Sequence, residues 1–265
     1  MAKLISPFPF IGSLGEVSAY KMRGVDHIIL RTKGGPSAEK IKHDPKLKRT
    51  RENNREFGGR AVAAKWIMHS IWPSKALADY NIAGALNALL RPVQQLDSTS
   101  PHGQRHVLLS RNPRLLEGFS LNRQYLFDSI VRTGLQYSVS RDTCAAHIDI
   151  PALVPGVNFF ASEQFPMFRI QAVLGLVPNI VYDPLHYKPA SEGYAINNFQ
   201  YTSTEWRPVP KGAQAASLDL QLQRLPPDQS FTLVLCIGIC YGSMEDAGSV
   251  KQVKHAGSAK ILGTA

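Results

Sequence analysis

The sequence predicts an α+β protein with two parts. A β-hairpin followed by helices is expected in residues 1–132, and an antiparallel, immunoglobulin-like β-sandwich in residues 133–265. Three observations predict this. Apolar residues recur at helical spacing between residues 57 and 90. From residue 133 onward, short apolar runs are separated by Pro/Gly turns with no helix between them. The first part carries 21 Lys and Arg against 10 Asp and Glu, whereas the second carries 9 against 10.

The first element is a β-hairpin in residues 11–33. Val17 and Ala19 alternate in its first strand, a turn is expected at residues 23–26, and the second strand covers residues 27–32. The lysine-rich stretch at residues 38–46 is interpreted as a basic linker.

A long helix follows, and Asp44-Pro45 is its predicted start. Its core-facing stripe is predicted to comprise Phe57, Ala61, Ala64, Met68 and Ile71. The pair Gly58-Gly59 costs helix stability, which indicates that a neighbour approaches closely there. Pro73 is expected to end this helix, Ser74 to cap a second one, and Pro92 to end that one.

In the second part, six segments are predicted strands. Alternating residues predict two of them, at residues 135–139 and 147–150. Leu218, Leu220 and Leu222 alternate with polar residues, which is typical of a strand with one wet face. Residues 231–241 are nearly all apolar, so both faces of that strand should be covered. Residues 168–177 are another strand, and residues 250–262 a returning edge strand. The Pro-rich stretch at residues 226–229 predicts a short antiparallel connection.

Several segments together resemble a family of uncharacterised proteins common in Bacteroidetes. They are Gly12-Ser13-Leu14-Gly15, KGGPS at residues 33–37, RTREN at residues 49–53, EFG at residues 56–58, Gly103-Gln104-Arg105 and LLEGFSLN at residues 115–122. The resemblance covers about residues 12–122. It implies a shared architecture of hairpin, helices and β-sandwich. It implies no activity, so no functional residue is carried over.

The sequence contains no recognisable catalytic, metal or cofactor-binding pattern, and the prediction is a protein that is not an enzyme. It lacks GxSxG, Walker and CxxC motifs. His102 and His106 are four residues apart, but Pro101 and Gly103 argue against the helix that a metal site would need. His147 and Asp149 are expected on a solvated strand face. The three cysteines are predicted to be small buried residues rather than a disulfide framework.

The N-terminal residues are not expected to form a secretory signal, since Pro7 and Pro9 interrupt the apolar stretch. No apolar run reaches the length of a membrane helix, so no membrane span is expected. The prediction is a cytoplasmic location. The predicted partners are further copies of the same chain or other assembly proteins, within a larger particle or filament.

The leading functional prediction is a structural or assembly protein that self-associates through its N-terminal hairpin and long helix. Aromatic residues are enriched at interfaces, and a pair of glycines lets another backbone approach. The residues predicted for this interface are Phe8, Phe10, Phe57, Gly58, Gly59, Trp66 and Trp72.

Two alternatives stay open. The basic segment 31–60 is typical of a surface that binds nucleic acid or another polyanion, although Glu52 and Glu56 weaken its field. Its candidate residues are Lys42, Lys46, Lys48, Arg49, Arg51 and Arg55. The second alternative is a ligand- or glycan-binding sandwich, with Trp206 and the tyrosines of residues 182–201 as a platform.

Overall fold

The computed structural model describes residues 2–4, 10–22, 25–32, 34–245 and 249–265. Contacts divide the chain into two compact units, Met1–Asn54 and Arg55–Ala265, which we call the small unit and the large unit. The boundary predicted between residues 132 and 133 is a different division of the chain, and it stays a prediction.

The small unit contains a four-stranded antiparallel sheet. Its strands are β1 (Ala2–Leu4), β2 (Gly12–Leu14), β3 (Val17–Tyr20) and β4 (Ile28–Thr32). The order is β1-β4-β3-β2, and the antiparallel pairing of β3 with β4 confirms the two strands of the predicted hairpin. Arg23 and Gly24 of the predicted turn lie outside the described residues. The sheet is larger than predicted because β1 and β2 pair on either side of it. Ala19, Ile28 and Ile29 are its buried apolar residues.

The prediction of a linker at residues 38–46 is wrong, because this segment is helical. The Ser37 hydroxyl accepts a hydrogen bond from Lys40 N at 3.2 Å and caps α1 (Ala38–His43). The Asp44 carboxylate accepts from Lys46 N at 2.9 Å and starts a 3-10 turn. This turn leads directly into α2 (Lys48–Ser70), so Asp44-Pro45 does precede the long helix, as predicted.

The helices after α2 differ from their predicted bounds. The short α3 (Trp72–Lys75) contains both Pro73 and Ser74. Ser74 therefore does not cap the next helix; Asn81 does, and it caps α4 (Ile82–Gln95) by accepting from Ala83 N at 3.1 Å. The helix also continues past Pro92, because Leu96 N donates to the Pro92 carbonyl. Among the described residues, no helix is long and apolar enough to cross a membrane.

Ten strands form three sheets in the large unit. A three-stranded sheet, ordered β12-β6-β5, contains β5 (Gln136–Ser140), β6 (Ala145–Ile150) and β12 (Ala216–Gln221). A five-stranded sheet is built on β10-β7-β13-β14, and β11 also pairs with β7. Its strands are β7 (Met167–Pro178), β10 (Phe199–Ser203), β11 (Arg207–Pro208), β13 (Phe231–Met244) and β14 (Val250–Thr264). β8 (Ile180–Tyr182) and β9 (Tyr187–Pro189) pair separately.

Short helical turns fill the connections of the large unit. They are α5 (Phe127–Ile130) and the 3-10 helices Leu109–Arg111, Pro113–Leu116 and Val209–Lys211. The five-stranded sheet is antiparallel throughout, with β14 against β13 as the predicted returning strand.

The central strand β13 is covered on both faces, as predicted, and its two faces belong to different cores. Val234, Cys236 and Cys240 lie in the helix-side core with residues of α2 and α4. Leu235 and Ile237 lie in the inter-sheet core with residues of β6 and β12. The large unit therefore has helices, a five-stranded sheet and a three-stranded sheet in successive layers. Helices with several antiparallel sheets and a β-rich C-terminal part are confirmed, whereas an immunoglobulin-like sandwich is not.

The predicted short connection between β12 and β13 is wrong. These strands are not partners: β12 pairs with β6, and β13 pairs with β7 and β14. The alternation of apolar and polar residues in β12 correctly predicts its buried face, since Leu218 and Leu220 are buried. Their side chains meet β13 across the inter-sheet core, so residues 226–229 lead from one sheet to the other.

The three cysteines are free and buried, as predicted. Cys236 and Cys240 are in the helix-side core, and burial raises their pKa to about 12 and about 11. Cys144 is in the inter-sheet core, and burial raises its pKa as well. Because the thiolate is the reactive form, all three are inert in the folded chain.

Candidate self-association surface

The structure separates the residues predicted for an interface into an exposed and a buried set. Phe57 and Trp72 are 57% and 51% exposed. Gly58 and Phe10 are half-buried, whereas Gly59 and Trp66 are buried. Phe8 lies outside the described residues. Trp66 belongs to the helix-side core, so it is a packing residue within this chain rather than a surface for a partner.

The stripe predicted for the core side of α2 is partly confirmed. Ala64 and Ile71 are buried and Met68 packs against the helix-side core, but Phe57 and Ala61 are exposed. The buried residues of α2 are Glu56, Gly59, Ala63, Ala64, Trp66, Ile67 and Ser70. The exposed side of α2 presents Phe57, Gly58, Ala61 and Lys65, which we call the α2 face.

Gly58 and Gly59 have different surroundings. A Cβ at Gly59 would lie 2.6 Å from Cε1 of Tyr187, so the close neighbour predicted for this pair is the Tyr187 ring. A Cβ at Gly58 would meet nothing within 4 Å. Contact with Tyr187 explains why residue 59 has no side chain. Nothing in the described residues explains why residue 58 has none.

The two glycines provide a matched pair of substitutions. We expect Gly59→Ala to lower the free energy of unfolding by about 1–3 kcal/mol, because the added methyl overlaps Tyr187. Gly58→Ala should raise it by up to about 1 kcal/mol, because alanine favours the helix and has space. Urea denaturation monitored by circular dichroism measures both. Equal effects of the two changes would contradict the placement of Tyr187.

A buried ion pair lies on the opposite side of α2 from the α2 face. Arg105 donates from Nε to Glu56 Oε1 at 2.6 Å and from Nη2 to Oε2 at 2.7 Å. Gly103 N adds a third bond to Oε1 at 2.9 Å. Burial by itself raises the pKa of Glu56, but the bonds from Arg105 and Gly103 outweigh it and hold that pKa below its ordinary value.

Further bonds join this pair to α4. Arg60 donates to Asn87 Oδ1 at 3.2 Å and to Gln94 Oε1 at 2.6 Å. Gln94 Nε2 in turn donates to the Arg105 carbonyl at 2.9 Å, and Asn87 Nδ2 to the Phe57 carbonyl at 3.2 Å. This network sets the rotation of α2, because it requires Glu56 inside and thereby leaves Phe57 outside.

Asp97 fixes the loop that supplies Arg105. Its carboxylate accepts bonds from Thr99 N, Thr99 Oγ1, Ser100 N and His106 N at 2.7–3.2 Å. Burial raises the pKa of Asp97, but these bonds prevail and lower it well below its usual range. His106 Nδ1 accepts from Tyr182 N at 2.9 Å, and His102 lies 3.6 Å from Glu56. Both histidines thus have structural neighbours, and the described residues contain no group of three metal-ligating side chains.

Most of the residues predicted to bind a polyanion contact other parts of the chain. Lys48 and Arg49 lie 4.0 Å and 3.4 Å from Glu52. Arg51 Nη1 donates to the carbonyls of Ile41 and Asp44, both at 2.8 Å. Arg55 lies over the Tyr182 ring at 5.6 Å. Lys42 and Lys46 are exposed and are the two best placed for phosphate.

We expect nucleic-acid binding to be weak, independent of sequence and lost with added salt, because phosphate contacts carry no sequence information. Fluorescence anisotropy with two unrelated labelled DNA duplexes, in about 50 mM and about 200 mM salt, measures this. Replacing both Lys42 and Lys46 with Glu should weaken both duplexes equally. Tight binding of only one duplex at the higher salt would contradict this expectation.

The residues predicted as a glycan platform are largely packed against the protein. Tyr187 is buried, and its hydroxyl donates to the Arg105 carbonyl at 3.0 Å. Tyr194 donates to Asp228, and Trp206 lies beneath the Arg169 guanidinium at 4.6 Å. Tyr182 and Tyr201 also pack against the helix-side core. These side chains cover the five-stranded sheet and form no open platform.

His147 is exposed on the three-stranded sheet, as predicted, between two carboxylates. Its Nδ1 lies 2.7 Å from Asp219 and its Nε2 3.1 Å from Asp149. The hydrogen bond with Asp219 and then that with Asp149 raise the pKa of His147. Because both ring nitrogens are engaged by carboxylates, neither is available to accept a proton from a nucleophile. Although Ser138 is paired opposite His147, this row does not resemble an activated nucleophile.

Comparisons with models of known protein families, with curated proteins and with solved structures found no match. The resemblance to uncharacterised Bacteroidetes proteins therefore stays a prediction. Glu56, Gly103 and Arg105 all belong to the motifs that carry it, and the structure brings these three residues together. Their shared role in this chain is to hold α2 and the loop after α4 in place.

Proposed function

We propose that this chain is a non-enzymatic structural or assembly protein that associates with further copies of itself through the α2 face. One observation supports this above the others: an exposed Phe57 stands beside a glycine with open space around it on a long helix whose rotation is fixed. Aromatic residues are enriched at protein interfaces, and the small Gly58 and Ala61 beside Phe57 leave room for a partner's backbone.

The composition of the α2 face suits a second helix. Gly58 and Ala61 have little or no side chain, so another helix can approach closely, and helices that pack lie about 8–10 Å apart. Phe57 beside them can fill the space next to the crossing point. In a two-fold symmetric dimer the same surface is used by both copies, so these residues would be self-complementary.

One helix face is small for a stable interface, which needs about 800 Å² from each partner. The small unit offers a second apolar surface. Ile11 and Leu14 are 63% and 70% exposed, and Leu14 lies in the edge strand β2. An exposed edge strand readily pairs with another chain. We propose β2 as a second self-association surface, separate from the α2 face, and we propose contacts to other assembly proteins in a cytoplasmic particle or filament.

Light scattering coupled to size-exclusion chromatography tests the proposal over a concentration series of the full chain. The wild type should have at least twice the mass of the monomer. Phe57→Glu and Gly58→Lys should each shift it to the monomer, because they place a charge in the interface. Leu225→Glu is the matched control: Leu225 is 66% exposed in the loop before β13, and its replacement should leave the mass unchanged.

Circular dichroism must show that the variants are folded, which their exposure favours. A chain that starts at Gly12 tests the contribution of the preceding residues, and we expect weaker association. A monodisperse wild-type monomer at all concentrations would overturn the proposal. So would an oligomer that Phe57→Glu and Gly58→Lys leave intact. The proposal depends on the α2 face and β2, and not on an immunoglobulin-like order of the strands.

A further inference from the structure

A cavity of about 400 Å³ lies in the large unit, far along the chain from the α2 face. It is bordered by residues 122–125, by the loop before β7, by Tyr241 near the end of β13 and by residues 255–257 in the middle of β14. The side chains that matter are Gln124, Tyr125, Phe160, Gln164, Tyr241 and His255. Its volume is within the range of pockets that bind small molecules.

Aromatic rings from separate segments line this cavity. Phe165 stacks on Tyr241 with the ring centres 5.0 Å apart and the planes at 20°. Phe160 is held by the Arg132 guanidinium, 3.9 Å from its ring centre, and is still 38% exposed. Tyr125 is 69% exposed. The cavity thus has a rigid aromatic floor and two further rings with accessible faces.

Hydrogen-bonding groups stand among the rings. The side-chain amides of Gln124 and Gln164 and the His255 imidazole have no hydrogen-bond partner among the described residues. Tyr241 Oη accepts from Ser162 N at 3.3 Å and keeps its own proton to donate. The Asp79 carboxylate accepts from Arg123 N and Gln124 N at 2.9–3.0 Å, so it holds the segment that carries Tyr125.

The backbone at the rim is unusual for a strand. His255 has φ of +59° and Gly257 has φ of +138°, and pairing with β13 shifts between Cys240 and Gly242. A Cβ at Gly257 would collide with the Ile239 carbonyl oxygen, so only glycine fits there. Irregularities of this kind redirect side chains and are concentrated at functional sites. Here the irregularity places His255 at the cavity.

We propose that this cavity binds a neutral saccharide unit, with its ring against Tyr125 and Phe160 and its hydroxyls bonded to Gln124, Gln164 and His255. A sugar ring has an apolar face of C–H groups and a rim of hydroxyls, which matches aromatic faces mixed with uncharged donors and acceptors. An apolar ligand would leave the two amides without partners, which costs free energy. The described residues that line the cavity include the Asp79 carboxylate and no Lys or Arg, which disfavours an acidic ligand.

This inference is independent of self-association, because none of these residues belongs to the α2 face or to β2. Saturation-transfer NMR on the full chain tests it, with maltose, cellobiose and lactose as neutral probes, glucuronate as a charged probe and p-cresol as an apolar aromatic probe. At least one neutral disaccharide should bind with a dissociation constant of about 10 mM or lower. Tyr125→Ala and Gln164→Ala should each weaken that binding at least about tenfold.

Tyr137→Ala is the matched control, because Tyr137 is also exposed but lies on β5, outside the cavity. It should bind the same disaccharide with unchanged affinity. Failure of all three neutral disaccharides to bind overturns the proposal, as does binding that Tyr125→Ala leaves intact. Tighter binding of glucuronate or p-cresol than of every disaccharide overturns it too, because the ligand would then be charged or simply apolar.

Discussion

Replacing Leu235 with aspartate should prevent the large unit from folding. Leu235 is fully buried in the centre of β13, in the inter-sheet core. An aspartate there would bury a carboxylate with no partner, at a cost comparable to the whole stability of a domain. Far-UV circular dichroism and thermal melts of the full chain should show no cooperative transition. Leu235→Ala should still fold and lose about 2–5 kcal/mol, which keeps the effect measurable.

Gln221→Asp is the control for this change. Gln221 is the last residue of β12, and its side chain is exposed. The same carboxylate there stays hydrated, so the free energy of unfolding should change by less than about 0.5 kcal/mol. If Leu235→Asp and Gln221→Asp lower the free energy of unfolding equally, then β12 and β13 do not bury the faces described. A fully folded Leu235→Asp chain would contradict the central place of β13.

Glu56→Gln should lower the free energy of unfolding by about 1.5–3 kcal/mol, because it removes the charge from a buried side chain that accepts two hydrogen bonds from the half-buried Arg105. Glu205→Gln is the matched control. The Glu205 side chain is 81% exposed and lies 3.0 Å from Arg207, and exposed pairs contribute less than about 1 kcal/mol. Chemical denaturation of the three chains at pH 7 measures the difference. Similar losses for both glutamates would contradict the importance of the buried pair.

The Glu56 ion pair also predicts an acid dependence. The pKa of Glu56 in the folded chain is below its ordinary value of 4.5, so its contribution is fully present above that value. The contribution is lost as the pH falls below 4.5 and through the lower, folded-state pKa. The wild type should therefore lose stability more steeply in acid than Glu56→Gln. If the free energy of unfolding falls with pH in parallel for the wild type and Glu56→Gln, the Glu56 ion pair does not contribute the predicted acid dependence.

The strands can be predicted because the alternation of apolar and polar residues shows which face of a strand is buried. It identified Leu218 and Leu220 in β12, and the lack of alternation identified β13 as covered on both sides. Alternation cannot tell which strand lies alongside. The connection from β12 to β13 was therefore mistaken for a hairpin, although these strands face each other across a core.

The helices were harder to predict because their positions depend on contacts between distant residues. A charged residue such as Glu56 is excluded when an apolar stripe is counted, so the pattern predicts Phe57 and Ala61 on the core side although both are exposed. Its partner Arg105 is 49 residues away, and Tyr187, which needs Gly59, is farther still. The one signal for Glu56 and Arg105 was that both occur in the motifs of the resemblance. No sequence pattern predicts the cavity beside β14, because its lining residues come from segments that are far apart along the chain.

The distribution of the three cysteines gives the large unit two internal reporters of opening. A thiol buried in a core reacts with a labelling reagent only while that core is transiently open, so its labelling rate reports the free energy of that opening. Cys236 and Cys240 report separation of the helices from the five-stranded sheet, and Cys144 reports separation of the two sheets. If the layers part together, all three thiols share one labelling rate. If the helices detach first, Cys236 and Cys240 react while Cys144 is still protected.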